Sequence, residues 1–81
     1  MKIKNDGQTA YQCLCRERAQ AFLEAAKQQG FDFLNDEFRL RGTLYWDEYK
    51  EHTCFVVTKG DTIFVYHERQ AKEKGFTINY F

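Results

Sequence analysis

The chain has 81 residues, no net charge, and aromatic residues at 17% of the sequence. This length predicts one small domain, residues 1–81. The balanced charge argues against a general nucleic-acid-binding protein, which is usually basic, so a nucleic-acid partner is not expected. An odd number of cysteines, with no signal peptide or long apolar segment, predicts a cytoplasmic protein with free thiols and no membrane association.

The N-terminal third is predicted to contain a short strand, residues 1–4, and then the main helix. Thr9 followed three residues later by Gln12 fits a capping box, so we expect a helix from about Thr9 to Gln29. Gly30 would supply its left-handed C-cap. At about 100° per residue, one face of this helix is apolar; its members are Tyr11, Leu14, Cys15, Ala19, Phe22, Ala25 and Ala26.

The middle of the chain has weaker patterns. Residues 38–41 alternate apolar and polar side chains and stop at Gly42, which is compatible with either a strand or an irregular segment. Residues 43–51 mix aromatic and acidic side chains without a clean period. We expect a loop or a helical turn there.

Residues 53–66 carry the strongest pattern, two runs of β-branched and aromatic residues flanking Lys59 and Gly60. This predicts a β-hairpin with a two-residue turn in which Gly60 adopts a positive φ. Thr58 would then face Asp61, and one face would carry His52, Cys54, Val56, Ile63, Val65 and His67. Because both faces are largely apolar, we expect the helix to cover one, and more chain or a partner to cover the other.

The last part of the chain predicts a short surface helix or turn at residues 68–74, closed by Gly75, and a final strand at residues 76–81. In that strand Phe76, Ile78 and Tyr80 would point inward. The resulting fold class is α+β: one main N-terminal helix packed on a small antiparallel sheet of three to four strands, in the order β-α-(β)-β-β-(α)-β.

Several short motifs fall within residues 45–81: Trp46-Asp47-x-Tyr49-Lys50, Thr53-Cys54-aromatic before the hairpin, and the closing Gly75-Phe76-x-Ile78. In these motifs the chain resembles a family of small proteins encoded by phages and prophages of Gram-positive bacteria. The resemblance implies a small accessory protein that acts inside an infected bacterium, on host machinery or host defence. The family carries no assigned chemistry.

His52, Cys54 and His67 could form a metal site, since two imidazoles and a thiolate can bind zinc. A fourth ligand is missing, and two edge histidines beside a cysteine packed as a small hydrophobic residue is the commoner arrangement. We therefore expect no metal and no cofactor, and the question whether these residues form a site is left to the structure. No catalytic constellation is identifiable, so we do not expect an enzyme.

The best candidate for a binding surface is an aromatic and acidic segment with two arginines nearby. Its composition is typical of interface hot spots, and its residues are Tyr45, Trp46, Asp47, Glu48, Tyr49, Arg39 and Arg41. We expect a non-enzymatic protein that binds a host or phage protein, with a homo-oligomer also compatible. The alternative is a small oligomer that binds or sequesters a nucleotide signal through Arg18, Arg39 and Arg41 near aromatic rings.

Overall fold

The computed structural model describes residues 3–33 and 49–81. In chain order its elements are β1 (Thr9–Cys13), α1 (Arg16–Gln28), β2 (Asp32–Phe33), a 3-10 helix (Lys50–His52), β3 (Thr53–Val57), β4 (Thr62–His67), α2 (Glu68–Glu73) and β5 (Thr77–Tyr80). The fold is α+β, as predicted, with one main helix and a five-stranded sheet of order β2-β4-β3-β1-β5.

The sheet is mixed, so the prediction of an antiparallel sheet with three to four strands was wrong. The central strands β1, β3 and β4 pair antiparallel, whereas β5 pairs parallel with β1 and β2 pairs parallel with β4. α1 connects β1 to the parallel strand β2, and α2 connects β4 to the parallel strand β5, so each helix provides a crossover past two intervening strands. The strand considered at residues 38–42 lies outside the described residues.

The main helix begins at Arg16, and the stretch predicted to be its first turns is instead the buried strand β1. Thr9 does not cap a helix. The Asp6 carboxylate accepts hydrogen bonds from the N–H groups of Gln8 and Thr9 and from the Thr9 hydroxyl, which closes a turn before the strand. The predicted strand at residues 1–4 is also wrong, because the described residues 3–5 are not in a strand.

The apolar face of α1 packs on one side of the sheet through small side chains. Ala19, Phe22 and Ala26 are fully buried, and the alanines let the helix axis approach the strands closely. The Phe22 ring stacks on Phe55 of β3 with a centroid distance of 4.8 Å and an interplanar angle of 11°. Leu14 precedes the helix and is 51% exposed, so its predicted place on the buried face was wrong.

Gly30 ends the main helix as predicted. Its φ of 87° lies in the left-handed region, and the N–H of Phe31 donates to the Ala26 carbonyl at 2.9 Å. This is the Schellman arrangement, in which the residue after the glycine bonds back across the last turn. Phe31 is thereby buried in the core beside Ala26 and leads directly into β2.

The hairpin forms where it was predicted, but its register is shifted by one residue. Val57 pairs with Ile63, and the Thr58 N–H donates to the Thr62 carbonyl at 2.9 Å, which leaves Lys59, Gly60 and Asp61 in the loop. The positive φ, 61°, belongs to Asp61, and Gly60 has none. An aspartate tolerates this conformation better than most residues, so a three-residue loop replaces the two-residue turn.

The new register changes which side chains share a face. Phe55 and Val57 lie with Ile63 and Val65 on the side of α1. The opposite side has a second core cluster, which consists of Ala10, Cys54, Val56 and Ala71 with Tyr66, Phe76 and Ile78 packed against it. Ala71 belongs to α2. The prediction that both faces of the hairpin would be covered is therefore confirmed, and the second cover is this short helix and the chain that follows it.

Strand β5 is less enclosed than predicted. Ile78 is partly buried in the second cluster, but Tyr80, predicted to point inward, is 62% exposed. The reason is the position of β5 at the edge of the sheet, paired with β1 alone among the described strands. Its side chains have neighbours on one side only.

The loop assignment can be tested with a matched pair of alanine substitutions. Asp61→Ala should lower the free energy of unfolding by about 1–2 kcal/mol, because alanine is strained at positive φ. Gly60→Ala should be neutral or stabilising by up to about 1 kcal/mol, because a Cβ there would meet only the Thr58 Oγ1, 3.8 Å away. Urea denaturation measures both. A larger loss of stability for Gly60→Ala than for Asp61→Ala would contradict the three-residue loop and support the two-residue turn.

Asp61 also accepts a side-chain hydrogen bond from Asn5 at 2.8 Å, which Asp61→Ala removes. Asp61→Gly removes the same bond but keeps the positive φ, so a loss seen with alanine and not with glycine reports the backbone effect alone.

The N-cap of α1 offers a stabilising substitution. Cys15 has the extended backbone of an N-cap (φ −148°, ψ 164°), but its side chain makes no capping hydrogen bond. Cys15→Ser should raise the free energy of unfolding by about 1 kcal/mol, because a serine hydroxyl accepts from the unpaired N–H groups of the first turn. Thermal or urea unfolding of Cys15→Ser beside Cys15→Ala checks this, and equal stability of the two variants would contradict it.

Candidate functional site

A cleft lined by charged and histidine residues lies where β4 runs into α2, at the carboxyl ends of β1 and β4. It has a volume of about 340 Å³, and it is lined by His52, His67, Glu68, Arg69, Lys72 and Glu73. An adjoining hollow of about 330 Å³ is lined by Tyr49, His67, Arg69 and Gln70. Because His67 and Arg69 line both, we treat the two as one surface and call it the histidine cleft.

The first feature of the histidine cleft is an ion-paired carboxylate. Glu68 Oε1 lies 2.8 Å from His52 Nδ1, and Glu68 Oε2 lies 3.1 Å from Lys72 Nζ. The hydrogen bonds from His52 and then from Lys72 lower the pKa of Glu68 below its usual value of 4.5. With Nδ1 bound to Glu68, the other ring nitrogen of His52 faces Glu51 at 3.6 Å.

Gln12 supports this arrangement from the end of β1. Its side-chain N–H group donates to the Glu51 carbonyl at 2.7 Å and to Glu68 Oε1 at 3.4 Å. Gln12 is 4% exposed, and its side-chain oxygen, Oε1, has no hydrogen-bond partner in the described part of the chain. Sequence reasoning missed this residue because it placed Gln12 in the first turn of the main helix, as part of a capping box with Thr9.

His67 caps the start of α2 and makes two ring contacts. Its Nδ1 accepts from the Arg69 N–H at 3.0 Å, while the Gln70 side chain accepts from the His67 N–H at 3.1 Å, a reciprocal capping box. The proton of the neutral ring must then lie on Nε2. The His52 ring stacks on His67 at 5.1 Å, and Tyr49 meets it edge-on at 5.4 Å.

The three residues considered as a zinc site are not brought together. His52 and His67 are adjacent, but Cys54 is fully buried in the second core cluster beneath α2 and does not line the cleft. In residues 3–33 and 49–81, no group of three or more His, Cys, Asp or Glu side chains could hold a metal ion.

The buried cysteines are poor nucleophiles. Burial, together with the nearby Glu68, raises the pKa of Cys54 to about 11. Burial, followed by the neighbouring Cys54 and Cys15, raises the pKa of Cys13 to about 12. Both therefore remain thiols at neutral pH, and a thiol is much less reactive than a thiolate.

Of the predicted binding residues, Tyr49 is the one the structure describes, and it lies at the histidine cleft. The others, Tyr45, Trp46, Asp47, Glu48, Arg39 and Arg41, lie outside the described residues. Arg18, the remaining member of the nucleotide hypothesis, donates from Nη1 to the Phe81 carbonyl at 3.1 Å and so connects α1 to the end of β5.

A second concavity, of about 270 Å³, lies beside β2. Apolar side chains of the α1 core, including Leu23, Phe31, Phe33 and Ile63, line most of it. It offers fewer convergent polar groups than the histidine cleft.

Comparisons with protein-family models, with curated proteins and with solved structures give no match for this chain. Within the described residues, none of the helices has the length and apolar character needed to cross a bilayer.

The lowered pKa of Glu68 predicts a specific acid dependence. Its ionised form is favoured in the folded state, so this carboxylate contributes stability at pH values above about 4.5, and the contribution disappears as the pH falls through the lower folded-state value. Wild-type protein should be more stable than Glu68→Gln at neutral pH, and the difference should shrink towards pH about 3. Urea denaturation across that range measures it.

Glu73→Gln is the matched control, since it removes an exposed carboxylate from the same helix. An equal pH dependence for Glu68→Gln and wild type would show that the contacts with His52 and Lys72 contribute nothing measurable.

Proposed function

We propose that this chain is a non-enzymatic accessory protein, of the kind phages and prophages encode, that binds a host or phage protein inside the bacterial cytoplasm. The observation that carries the proposal is the packing of Tyr49 against His67 at the mouth of the histidine cleft. Tyr49 is the end of the aromatic and acidic segment whose composition suggests a hot spot. Its position puts the last residue of that segment at the histidine cleft.

The side chains of the histidine cleft suit recognition of another protein. Tyr49 and Arg69 are of residue types that often dominate the energetics of protein interfaces. The cleft bears both signs of charge, with Arg69 and Lys72 beside Glu68 and Glu73. A mixed rim of this kind fixes the orientation of a polar partner and gives little attraction to a polyanion.

The chemistry of the described residues supports binding over catalysis. The His52–Glu68 pair could orient a general base, but Cys13 and Cys54 are buried in the cores, and their raised pKa values make them poor nucleophiles. The lysine of the cleft is held by the same glutamate. These contacts rigidify a surface, which lowers the entropy cost of docking.

Affinity capture from lysate with matched variants tests the proposal. Tyr49→Ala and Arg69→Ala should each reduce recovery of a specific partner about tenfold or more, because residues of these types are frequent hot spots. Trp46→Ala should do the same if the neighbouring segment belongs to the surface. Captured proteins are quantified by mass spectrometry.

The control is Lys27→Ala, an exposed change on α1 at the second concavity. A partner that is retained by Tyr49→Ala and Arg69→Ala but lost with Lys27→Ala would place binding at that concavity and overturn the assignment. Circular dichroism of each variant confirms that the fold is intact.

A further inference from the structure

Strand β5 lies at the edge of the sheet and carries none of the charged or proline residues that often protect such a strand. Its sequence, Thr77-Ile78-Asn79-Tyr80, contains no charged residue, proline or glycine, and three of its four residues are exposed. No described strand pairs with its outer side. Proteins usually place a charge, a proline or a bulge on such an edge, because its unpaired backbone groups bind other strands.

The hydrogen bonds to β1 determine which backbone groups of β5 point outward. The N–H of Thr77 donates to the Gln8 carbonyl at 2.8 Å, and the N–H of Phe81 donates to the Gln12 carbonyl at 3.0 Å. Backbone groups alternate sides along a strand, so residue 79 also points toward β1. The N–H and C=O groups of Ile78 and Tyr80 therefore point away from the sheet.

These outward groups are self-complementary. In an antiparallel pair of identical strands, opposite residues must lie on the same face, and residues that exchange both hydrogen bonds must have their backbone groups directed at each other. A two-fold axis through Asn79 meets both conditions. It places Ile78 opposite the partner's Tyr80, and Tyr80 opposite the partner's Ile78. All the outward N–H and C=O groups of the two residues are then paired.

We propose that two copies of this chain associate antiparallel through β5, with the two-fold axis between their Asn79 residues. The two sheets become one continuous sheet. This places the exposed Tyr80 ring across the partner's Ile78 on the face that α2 covers, an aromatic and β-branched pair of the type that stabilises sheets. The two Asn79 side chains meet on the other face, where each amide can donate to and accept from the other.

The absence of charge on β5 favours a second copy of this chain as the partner of its outer edge. A homodimer brings identical surfaces together, so any charge on the edge would be repeated and repelled, and β5 has none. The chain as a whole is neutral. The contact is short, and it buries less than the roughly 1,200 Å² of stable complexes. The dimer is therefore reversible and depends on protein concentration.

Sedimentation equilibrium and amide hydrogen exchange, both across a concentration series, test the proposal. The wild type should pass from monomer to dimer. The amides of Ile78 and Tyr80 should become protected with increasing concentration, while the amide of Asn79, already bound to β1, should be protected throughout. Tyr80→Lys should raise the dissociation constant of the dimer about tenfold or more, because it places a charge on the edge. Gln20→Lys introduces the same charge at an exposed position of α1 and should leave the dissociation constant of the dimer unchanged.

Cysteine cross-linking tests the register directly. Opposite residues of a non-hydrogen-bonded antiparallel pair lie about 4.5 Å apart at Cα, within disulfide reach. In a Cys15→Ser background, Asn79→Cys should form an intermolecular disulfide under mild oxidation. Thr77→Cys should not, because the two sites would be about 14 Å apart along the strands.

Each outcome decides the proposal. A monomer at all concentrations, with unprotected Ile78 and Tyr80 amides, would overturn it and leave the edge available to a different extended chain. A dimer that Tyr80→Lys does not weaken, or that cross-links equally well at Thr77→Cys, would place the interface elsewhere. A concentration-dependent dimer weakened by Tyr80→Lys and cross-linked at Asn79→Cys would establish it.

Discussion

The stacking of Phe22 on Phe55 is the contact on which the rest of this small domain depends. It joins the main helix to β3, the middle strand of the sheet, and the rings of Tyr11 and Phe81 pack around it. Large planar side chains bury more apolar surface per residue than aliphatic ones, which matters in a chain of 81 residues, where the core is small. Once α1 is fixed there, the turn that follows it directs β2 to one edge of the sheet and leaves the other face for α2.

The two crossovers are built in the same way although their sequences differ. β1-α1-β2 and β4-α2-β5 each consist of a strand, a helix and a parallel strand at an edge, with the helices on opposite faces. Each helix ends in a glycine at positive φ, and the phenylalanine after it bonds back across the last turn and enters the core. Gly30-Phe31 and Gly75-Phe76 therefore have the same role: each pair ends a helix and leads the chain to an edge strand.

The sequence was sufficient to predict the elements whose local signals are strong. The hairpin, the C-terminal end of α1 and the α+β class follow from β-branched runs, glycine positions and helical periodicity. The sequence-based prediction was wrong where tertiary structure overrides a local pattern.

Thr9–Cys13 lies between two strands and is buried on both sides, so it has no alternation to separate it from a helix. The predicted hairpin register was wrong because Asp61, and not the neighbouring Gly60, adopts the positive φ. The ion pairs of the histidine cleft join residues far apart in sequence, which no local pattern reveals. The prediction for Tyr45 to Glu48 remains a prediction.

The pairing of β1 with β5 has a consequence for the order in which the chain acquires its structure. The hairpin of β3 and β4 closes a short loop and can form early, whereas β1 must wait for residues from the far end of the chain before its second edge is satisfied. During synthesis on the ribosome, β1, an interior strand of the finished sheet, would remain half-paired until β5 has emerged. A nascent chain of this protein would therefore expose β1, whose five residues are all buried in the folded domain, for longer than the hairpin, and chaperone contact would be expected at β1.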